Sequence, residues 1–309
     1  MQRRQFITGV LPATVAVCTP WVSLSSASAA EVGLQVTTLA PGLSLISGGG
    51  GNVVVLDTAA GVLLVDGGSP EQSPSVLQAV RKLTGKATVH TLFNTHWHWD
   101  QTGSNKTLGA AGTRIIAHEN TRLWLGTEAN VKWQQRIYPR LPVQARPNKT
   151  FYTNDTLQFG GEQIDYGYLP QAHTDGDIYV HLRKANVIVA GDVLSRDSYP
   201  VIDYSTGGYI GGLTDAAKAL LQLGNEQTRY VPGSGALLSR TDLQAQADML
   251  AAVQSRLSKL LAQGMSAQDM VDAAPTKDLD ARWGDATLFV RNAWPGLVAR
   301  ARELGVSIV

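Results

Sequence analysis

The stretch that decides the fold is residues 94–103, "NTHWHWDQTG". Two histidines and an aspartate, His96, His98 and Asp100, stand at alternating positions directly after the apolar run "TVHTLF". An apolar strand that delivers three ligand-type side chains at its end is typical of a metal site. The residue that follows is Gln101, which has a neutral amide where a fourth ligand could stand.

The composition is that of a soluble globular protein. Of the 309 residues, 44% are hydrophobic and 17% are charged, and the formal net charge is +1. Removal of Arg3 and Arg4 with the N-terminal segment would change this charge to −1. A balance this close to neutral predicts no nucleic-acid partner and no anionic membrane surface.

Residues 1–30, "MQRRQFITGVLPATVAVCTPWVSLSSASAA", are typical of a secretory signal. The pair Arg3–Arg4 resembles a twin-arginine export signal, and the small residues at the end predict cleavage near Ala29 or Ala30. An ordinary Sec signal and an uncleaved anchor are the alternatives. We expect a periplasmic or secreted product of residues 31–309, with no stable membrane insertion after cleavage. Cys18 is the only cysteine, so the exported protein would hold any metal through nitrogen and oxygen.

The rest of the chain alternates strands and helices, which predicts a layered α/β fold with sites at strand ends. Short β-branched runs such as "NVVVLD" predict strands, and "SPSVLQAVRKLTG" predicts a helix that ends at Gly85. Residues 214–224 and 239–264 predict long helices with core-facing stripes, and "SAQD" at 266–269 resembles a capping box. Residues 126–150 have no clean period, and we expect a loop or lid over the site.

Further ligand-type residues follow two later strands. His173 lies in "PQAHTDGD" and Asp192 in "VIVAGDVLS". Strand ends of an α/β layer meet at one edge, where these side chains can join His96 and His98. Three neutral imidazoles with an open position are the ligand set of a catalytic zinc ion, although imidazole also suits iron.

The order of these motifs resembles the metallo-β-lactamase fold superfamily. The resemblance rests on "LLVDGG" with Asp66, "HWHWDQ", "AHTDGD", "AGDVLS" and "VPGSG", and it covers roughly residues 43–236. It implies an αββα sandwich and a first metal held by His96, His98 and His173. It implies a second metal at the positions of Asp100, Gln101, Asp192 and Ser234.

Both second-site histidines of the superfamily are replaced here, by Gln101 and Ser234. Neither an amide nor a hydroxyl is a good zinc ligand. The resemblance therefore implies one dominant zinc ion, with Asp192 as a further ligand and Asp100 as at most part of a weak second site.

The implied activity is metal-dependent hydrolysis of a small molecule. Zinc-bound hydroxide would attack an amide, lactone, ester or thioester carbonyl, with Asp100 and Asp192 as the catalytic carboxylates. Asp66 is interpreted as a structural residue. Two alternatives remain: a non-catalytic member that binds a ligand or metal, and a mononuclear iron redox enzyme.

The remaining candidates concern the substrate pocket. We expect Trp97 to face away from the metal, because strand-like side chains alternate. His90, His118 and His181 are interpreted as ordinary surface or core residues. The residues predicted to line the pocket are Gln101, Ser234, Trp133, Tyr138 and Tyr199.

Overall fold

A computed structural model describes residues 33–305 of the chain. The predicted signal and its cleavage site lie outside the described residues. Within that range no helix is long and apolar enough to cross a membrane.

The first sheet has seven strands and contributes the edge that carries the "HWHWD" motif. Its strands are β1 (Gln35–Ala40), β2 (Leu43–Ser47), β3 (Val53–Thr58), β4 (Gly61–Val65), β5 (Thr91–Phe93), β6 (Arg114–His118) and β9 (Lys149–Phe151), in the spatial order β1-β2-β3-β4-β5-β6-β9. The strands β1 to β4 pair antiparallel, whereas β4, β5, β6 and β9 are parallel. The ends of β4, β5 and β6 therefore open onto the same edge.

The second sheet has five strands in sequential order. These are β10 (Asn154–Phe159), β11 (Glu162–Tyr168), β12 (Ile178–Leu182), β13 (Val187–Gly191) and β14 (Arg229–Pro232). All neighbours are antiparallel except β13 and β14, which are parallel. Residues that follow β13 and β14 thus emerge side by side.

Helices cover the outer face of each sheet. The α-helices are α1 (Ser73–Thr84), α2 (Trp99–Thr102), α3 (Asn105–Ala110), α4 (Glu119–Leu125), α5 (Ile210–Leu223), α6 (Arg240–Ala262), α7 (Ala267–Asp272), α8 (Asp280–Trp283) and α9 (Thr287–Glu303).

Three buried clusters lie between successive layers. One joins α1 to the first sheet through Val76 and Val80. A second, with Val54 and Val189, fills the space between the two sheets. The third packs α5, α6 and α9 on the second sheet. This is the predicted αββα sandwich, and the fold prediction is confirmed.

Local signals in the sequence set several helix ends correctly. The helix α1 ends at Gly85, which adopts a left-handed φ of 67°. The helices α6 and α7 begin with complete capping boxes at Ser239 and Ser266. The helix α5 begins at Ile210 rather than at Thr214, because the buried side chains of Ile210 and Leu213 extend its apolar face.

The segment 126–150 is more ordered than the loop we expected. It forms a two-stranded hairpin, β7 (Ala129–Val131) and β8 (Arg136–Tyr138), with 3-10 turns at Lys132–Gln134 and Val143–Ala145. It then supplies β9 to the first sheet. Its irregular pattern reflects one buried face, on which Val131, Leu141 and Tyr138 cluster with Trp97.

Replacement of the α6 cap tests the local origin of this helix. In Ser239→Ala the hydroxyl that accepts from the Asp242 N–H is lost. We expect the free energy of unfolding to fall by about 1 kcal/mol in urea titrations. Ser258→Ala, at an exposed position inside the same helix, should leave it unchanged or raise it. Equal losses in the two variants would contradict the role of the cap.

Candidate metal centre

Loops after three strands bring four ligand-type side chains together at one edge of the sandwich. His96 and His98 follow β5, His173 follows β11, and Asp192 follows β13. One ligand atom from each lies within 4.8 Å of all the others. The sequence prediction that these four residues share one site matches this geometry.

The distances fit a single small ion. Nδ1 of His98 and Nε2 of His173 are 3.0 Å apart. Oδ2 of Asp192 lies 3.6 Å from Nε2 of His96 and 3.7 Å from Nε2 of His173. Ligands about 2.0–2.1 Å from a tetrahedral zinc ion are separated by roughly 3.3 Å, so these atoms are close to that spacing.

Hydrogen bonds orient two of the imidazoles. Nε2 of His98 donates to Oδ2 of Asp203 at 3.0 Å, and Nδ1 of His173 donates to the carbonyl of Val201 at 2.8 Å. In this tautomer the facing nitrogens, Nδ1 of His98 and Nε2 of His173, carry lone pairs and no proton. Two lone pairs 3.0 Å apart repel each other unless a cation lies between them.

The third imidazole, that of His96, is oriented through Thr95 by Asp66, which directly follows β4. Asp66 accepts from both the N–H and the hydroxyl of Thr95, at 2.8 Å each. Because the hydroxyl proton is committed to Asp66, Oγ1 of Thr95 accepts from Nδ1 of His96 at 3.1 Å. Nε2 of His96 is then the free nitrogen, and Asp66 is the structural residue that the sequence indicated.

The chain approaches this network closely at Gly191. Its φ is 53°, and a Cβ there would lie 2.4 Å from Oγ1 of Thr95. Glycine is therefore needed at the end of β13 to let Asp192 reach the histidines.

The donor set fits a metal ion. Nε2 of His96 is a buried nitrogen without a hydrogen-bond partner in the range 33–305, and it points at the other ligand atoms. Burial lowers the pKa of His96 well below its usual range and that of His173 to about 4. Both are thus neutral at neutral pH, which is the form that binds zinc.

Two carboxylates flank the histidines. Burial raises the pKa of Asp100, and the neighbouring charge of Asp192 adds to that effect. Burial also raises the pKa of Asp192, and the attraction of His98 opposes it. Carboxylates with raised pKa values are suited to accepting a proton at moderate pH.

Gln101 and Ser234, which replace the second-site histidines of the superfamily, have different surroundings. Gln101 is fully buried, and its Nε2 donates to Oδ2 of Asp100 and to the carbonyl of Gly233, each at 3.1 Å. Ser234 is exposed and lines a cavity at the surface with Arg196. A Cβ on Gly233 would lie 1.9 Å from Oδ1 of Asp192, so the backbone of this loop still borders the site.

The predicted pocket aromatics are placed in three settings. Trp133 is half-buried and its Nε1 donates to Oδ1 of Asp203 at 2.9 Å. Tyr138 is buried against Trp97, in the cluster beneath the hairpin. Tyr199 packs in the helical layer and donates to Asp280, so the structure does not place it with the other pocket candidates.

The remaining histidines lie in other parts of the fold. His90 is exposed next to β5, and His118 is buried with its ring stacked on Tyr168 at 3.8 Å. His181 is buried in β12. Trp97 packs beneath the hairpin with its ring centre 4.5 Å from that of His98, and its Nε1 donates to Thr206 at 3.1 Å.

Sequence reasoning missed Asp203. This buried carboxylate accepts from His98, from Trp133 and, at 2.6 Å, from the hydroxyl of Thr206. Burial acts to raise its pKa, but the hydrogen bond and charge of His98 hold the pKa of Asp203 below its usual value. One sequence signal could have indicated Asp203. An Asp shortly before Ser205 and Thr206, between apolar residues, is a helix-capping pattern, and Asp203 does cap the 3-10 turn at Tyr204–Thr206.

Replacement of Asp203 tests its role as a positioning residue. In Asp203→Asn the charge that favours the Nε2–H tautomer of His98 is lost. We expect zinc affinity, measured by chelator competition, to fall about 10- to 100-fold. Asp197→Asn, an exposed carboxylate nearby in sequence, should bind zinc as the wild type does. Unchanged affinity in Asp203→Asn, with the thermal unfolding temperature preserved, would contradict the assignment.

Comparisons with known proteins agree with the geometry. The sequence model of the metallo-beta-lactamase superfamily matches residues 46–235. A metallo-beta-lactamase type 2 from Bacillus cereus is 26% identical over 199 residues, which are 64% of this chain and 72% of that protein.

Solved structures share the fold at low sequence identity. A metallo-beta-lactamase from Pontibacter korlensis superposes with a TM-score of 0.57 and 18% identity, covering 71% of this chain and 99% of that one. The inverting sec-alkylsulfatase Pisa1 from Pseudomonas sp. gives a TM-score of 0.67 and 13% identity over 89% of this chain and 51% of that one. The sequence model and the Bacillus cereus relative establish that the chain is a hydrolase of the metallo-beta-lactamase superfamily, and the solved structures show that it shares the fold.

Proposed function

We propose that the protein is a hydrolase with one dominant zinc ion that cleaves an amide, lactone, ester or thioester. The observation that carries this proposal is the convergence of three oriented imidazole nitrogens and one carboxylate oxygen within 4.8 Å. A bound zinc ion would supply a water that ionises near pH 7 and would polarise the substrate carbonyl.

Asp100 is the proposed general base. It stands in α2, two residues after His98, and Nε2 of Gln101 holds its Oδ2 at 3.1 Å. That hydrogen bond fixes the carboxylate beside the imidazoles, where it can orient the attacking water and take its proton. The raised pKa of Asp100 favours uptake of this proton, which the carboxyl group can then pass to the leaving group.

Asp192 has a different role. Its Oδ2 faces both His96 and His173, and its side chain is 25% exposed, so it lies at the mouth of the ligand cluster. From this position it can complete the ligand set of the first metal. It can also accept a hydrogen bond from the attacking water.

The replacement of the second-site imidazoles supports a single dominant ion. Gln101 presents its amide nitrogen, not its oxygen, to Asp100 and Gly233. Both partners are acceptors, which fixes the amide in this orientation. At a position that the resemblance assigns to a ligand of the second metal, an amide donor thus faces Asp100.

The same donor set also suits iron, since imidazole and carboxylate ligands bind several transition metals. Metal analysis of protein purified without added metal distinguishes zinc from iron. We propose that the protein works in the periplasm or outside the cell on a small molecule, as its N-terminal sequence indicates.

Removal of one ligand tests hydrolysis. We expect the full chain loaded with zinc to hydrolyse at least one of four chromogenic substrates: an ester, a lactone, a thioester or a β-lactam. In His98→Ala the rate should fall at least about 100-fold, because one ligand and its link to Asp203 are lost.

The matched control is His90→Ala, an exposed histidine next to β5. It should keep both the zinc content and the rate of the wild type. A rate in His98→Ala equal to that of the wild type would assign the activity to a contaminant. Turnover of none of the four substrates would count against the proposed reaction.

Restoration of the second site tests the number of metals. We expect about one zinc per wild-type chain by elemental analysis after dialysis. The double variant Gln101→His with Ser234→His should hold about two, because Asp100 and Asp192 then gain imidazole partners. Two tightly held ions in the wild type would refute the single-ion proposal.

A further inference from the structure

His118 joins the first sheet to the helix α4 through both of its ring nitrogens. It is the last residue of β6, it is buried, and it directly precedes α4. Its Nδ1 accepts from the N–H of Asn120 at 3.2 Å, and its Nε2 donates to the carbonyl of Tyr152 at 3.3 Å. Because a backbone N–H can only donate and a carbonyl can only accept, the ring is neutral, with its proton on Nε2. The imidazole thus takes the place of the side-chain oxygen that usually caps a helix.

The first turn of α4 lies against the loop that carries the metal ligand His173. The side-chain amide of Asn120 donates to the carbonyl of Asp175 at 2.8 Å. The hydroxyl of Thr121 donates to the carbonyl of Gly176 at 2.9 Å, and a Cβ on Gly176 would lie 2.6 Å from that hydroxyl oxygen. The position of α4 therefore fixes the backbone of this loop two and three residues after the ligand.

Tyr168 connects the same loop to the imidazole itself. Its ring is stacked on that of His118, with the ring centres 3.8 Å apart and an angle of 7° between the planes. Its hydroxyl donates to the carbonyl of Asp175 at 2.9 Å. The capped helix and the stacked ring thus reach the loop of His173 by two routes, and both begin at His118.

A second proton on the imidazole would break the cap. Nδ1 would then carry a hydrogen directed at the N–H of Asn120, and two donors repel each other. Burial lowers the pKa of His118, although the hydrogen bond to Tyr152 and the charge of Glu119, which pairs with Arg122, act to raise it. A state in which α4 has opened therefore takes up the proton more readily than the closed state. As the pH falls below the ordinary histidine value of about 6.5, protonation favours opening.

We infer that His118 is a pH-dependent positioning residue for the metal centre: its neutral ring holds α4 on the loop of His173, and a proton on the ring releases α4. The inference goes beyond hydrolysis, because it concerns the position of the loop and not the bond that is cleaved.

Amide hydrogen exchange of the zinc-loaded full chain tests the inference. Protection factors, corrected for the intrinsic effect of pH, are compared at two pH values, one above and one below the ordinary histidine pKa. Because opening takes up one proton, we expect the protection of residues 120–125 to fall about threefold or more between about pH 7.5 and about pH 5.5, with a limit of about tenfold per pH unit. Residues 178–182 of β12 are the internal reference and should change less.

Two variants separate the proton from the cap. In His118→Asn a side-chain oxygen can accept the N–H of Asn120 but does not titrate, so the protection of α4 should be the same at both pH values. In His118→Ala no acceptor remains, and the protection should be low at both. His90→Ala, which removes an exposed histidine, is the matched control and should keep the pH dependence of the wild type.

Zinc affinity, measured by chelator competition, carries the effect to the metal centre. Protonation of the ligands weakens binding in every variant, so the ratio of the wild type to His118→Asn at each pH isolates His118. We expect affinities within about twofold of each other at about pH 7.5, and an affinity about threefold or more lower for the wild type at about pH 5.5.

The same pH dependence of α4 protection in the wild type and in His118→Asn would overturn the inference, as would an affinity ratio that does not change with pH. If the variants fail to fold, pH-independent protection of α4 in the wild type alone overturns it. None of these measurements involves turnover, so the outcome is independent of the hydrolase proposal.

Discussion

The structure depends on three imidazole nitrogens that are buried with their lone pairs directed at one point. An unpaired buried nitrogen lowers stability, and two lone pairs 3.0 Å apart add repulsion. A divalent cation at that point removes both costs. The surrounding residues thus hold the centre in shape, and they follow strands of both sheets.

Each imidazole is held by its own partner, and two of these partners lie in the segment between β13 and α5. The carboxylate of Asp66, at the end of β4, acts on His96 through Thr95. The backbone of Val201 fixes His173, and Asp203 fixes His98. These partners accept hydrogen bonds, so each imidazole keeps its proton on the outer nitrogen and presents the inner one. A rigid sandwich makes this selection possible, because small shifts of the strand ends would break the hydrogen bonds.

Gln101 places a buried amide at a position that the resemblance assigns to a second-site histidine. The amide is fully buried and links Asp100 to the loop at Gly233. The loop also receives the N–H of Asn52 on the same carbonyl, at 2.7 Å. A neutral donor stabilises the Asp100 carboxylate by hydrogen bonding, in the place of a second cation. The four ligand residues of the first site therefore converge although both second-site histidines are replaced.

The sequence by itself determined a layered α/β fold, several helix caps and the four residues of the ligand cluster. These features follow from local patterns: apolar strands, Gly85 and Ser239 as caps, and ligand-type residues directly after strands. The αββα arrangement came from the resemblance to the metallo-β-lactamase fold superfamily. Tertiary structure alone decided the order within residues 126–150, the burial of Tyr199 in the helical layer, and the role of Asp203. Hydrogen bonds such as that from His98 to Asp203 join residues far apart in the chain, and no local pattern encodes such a contact.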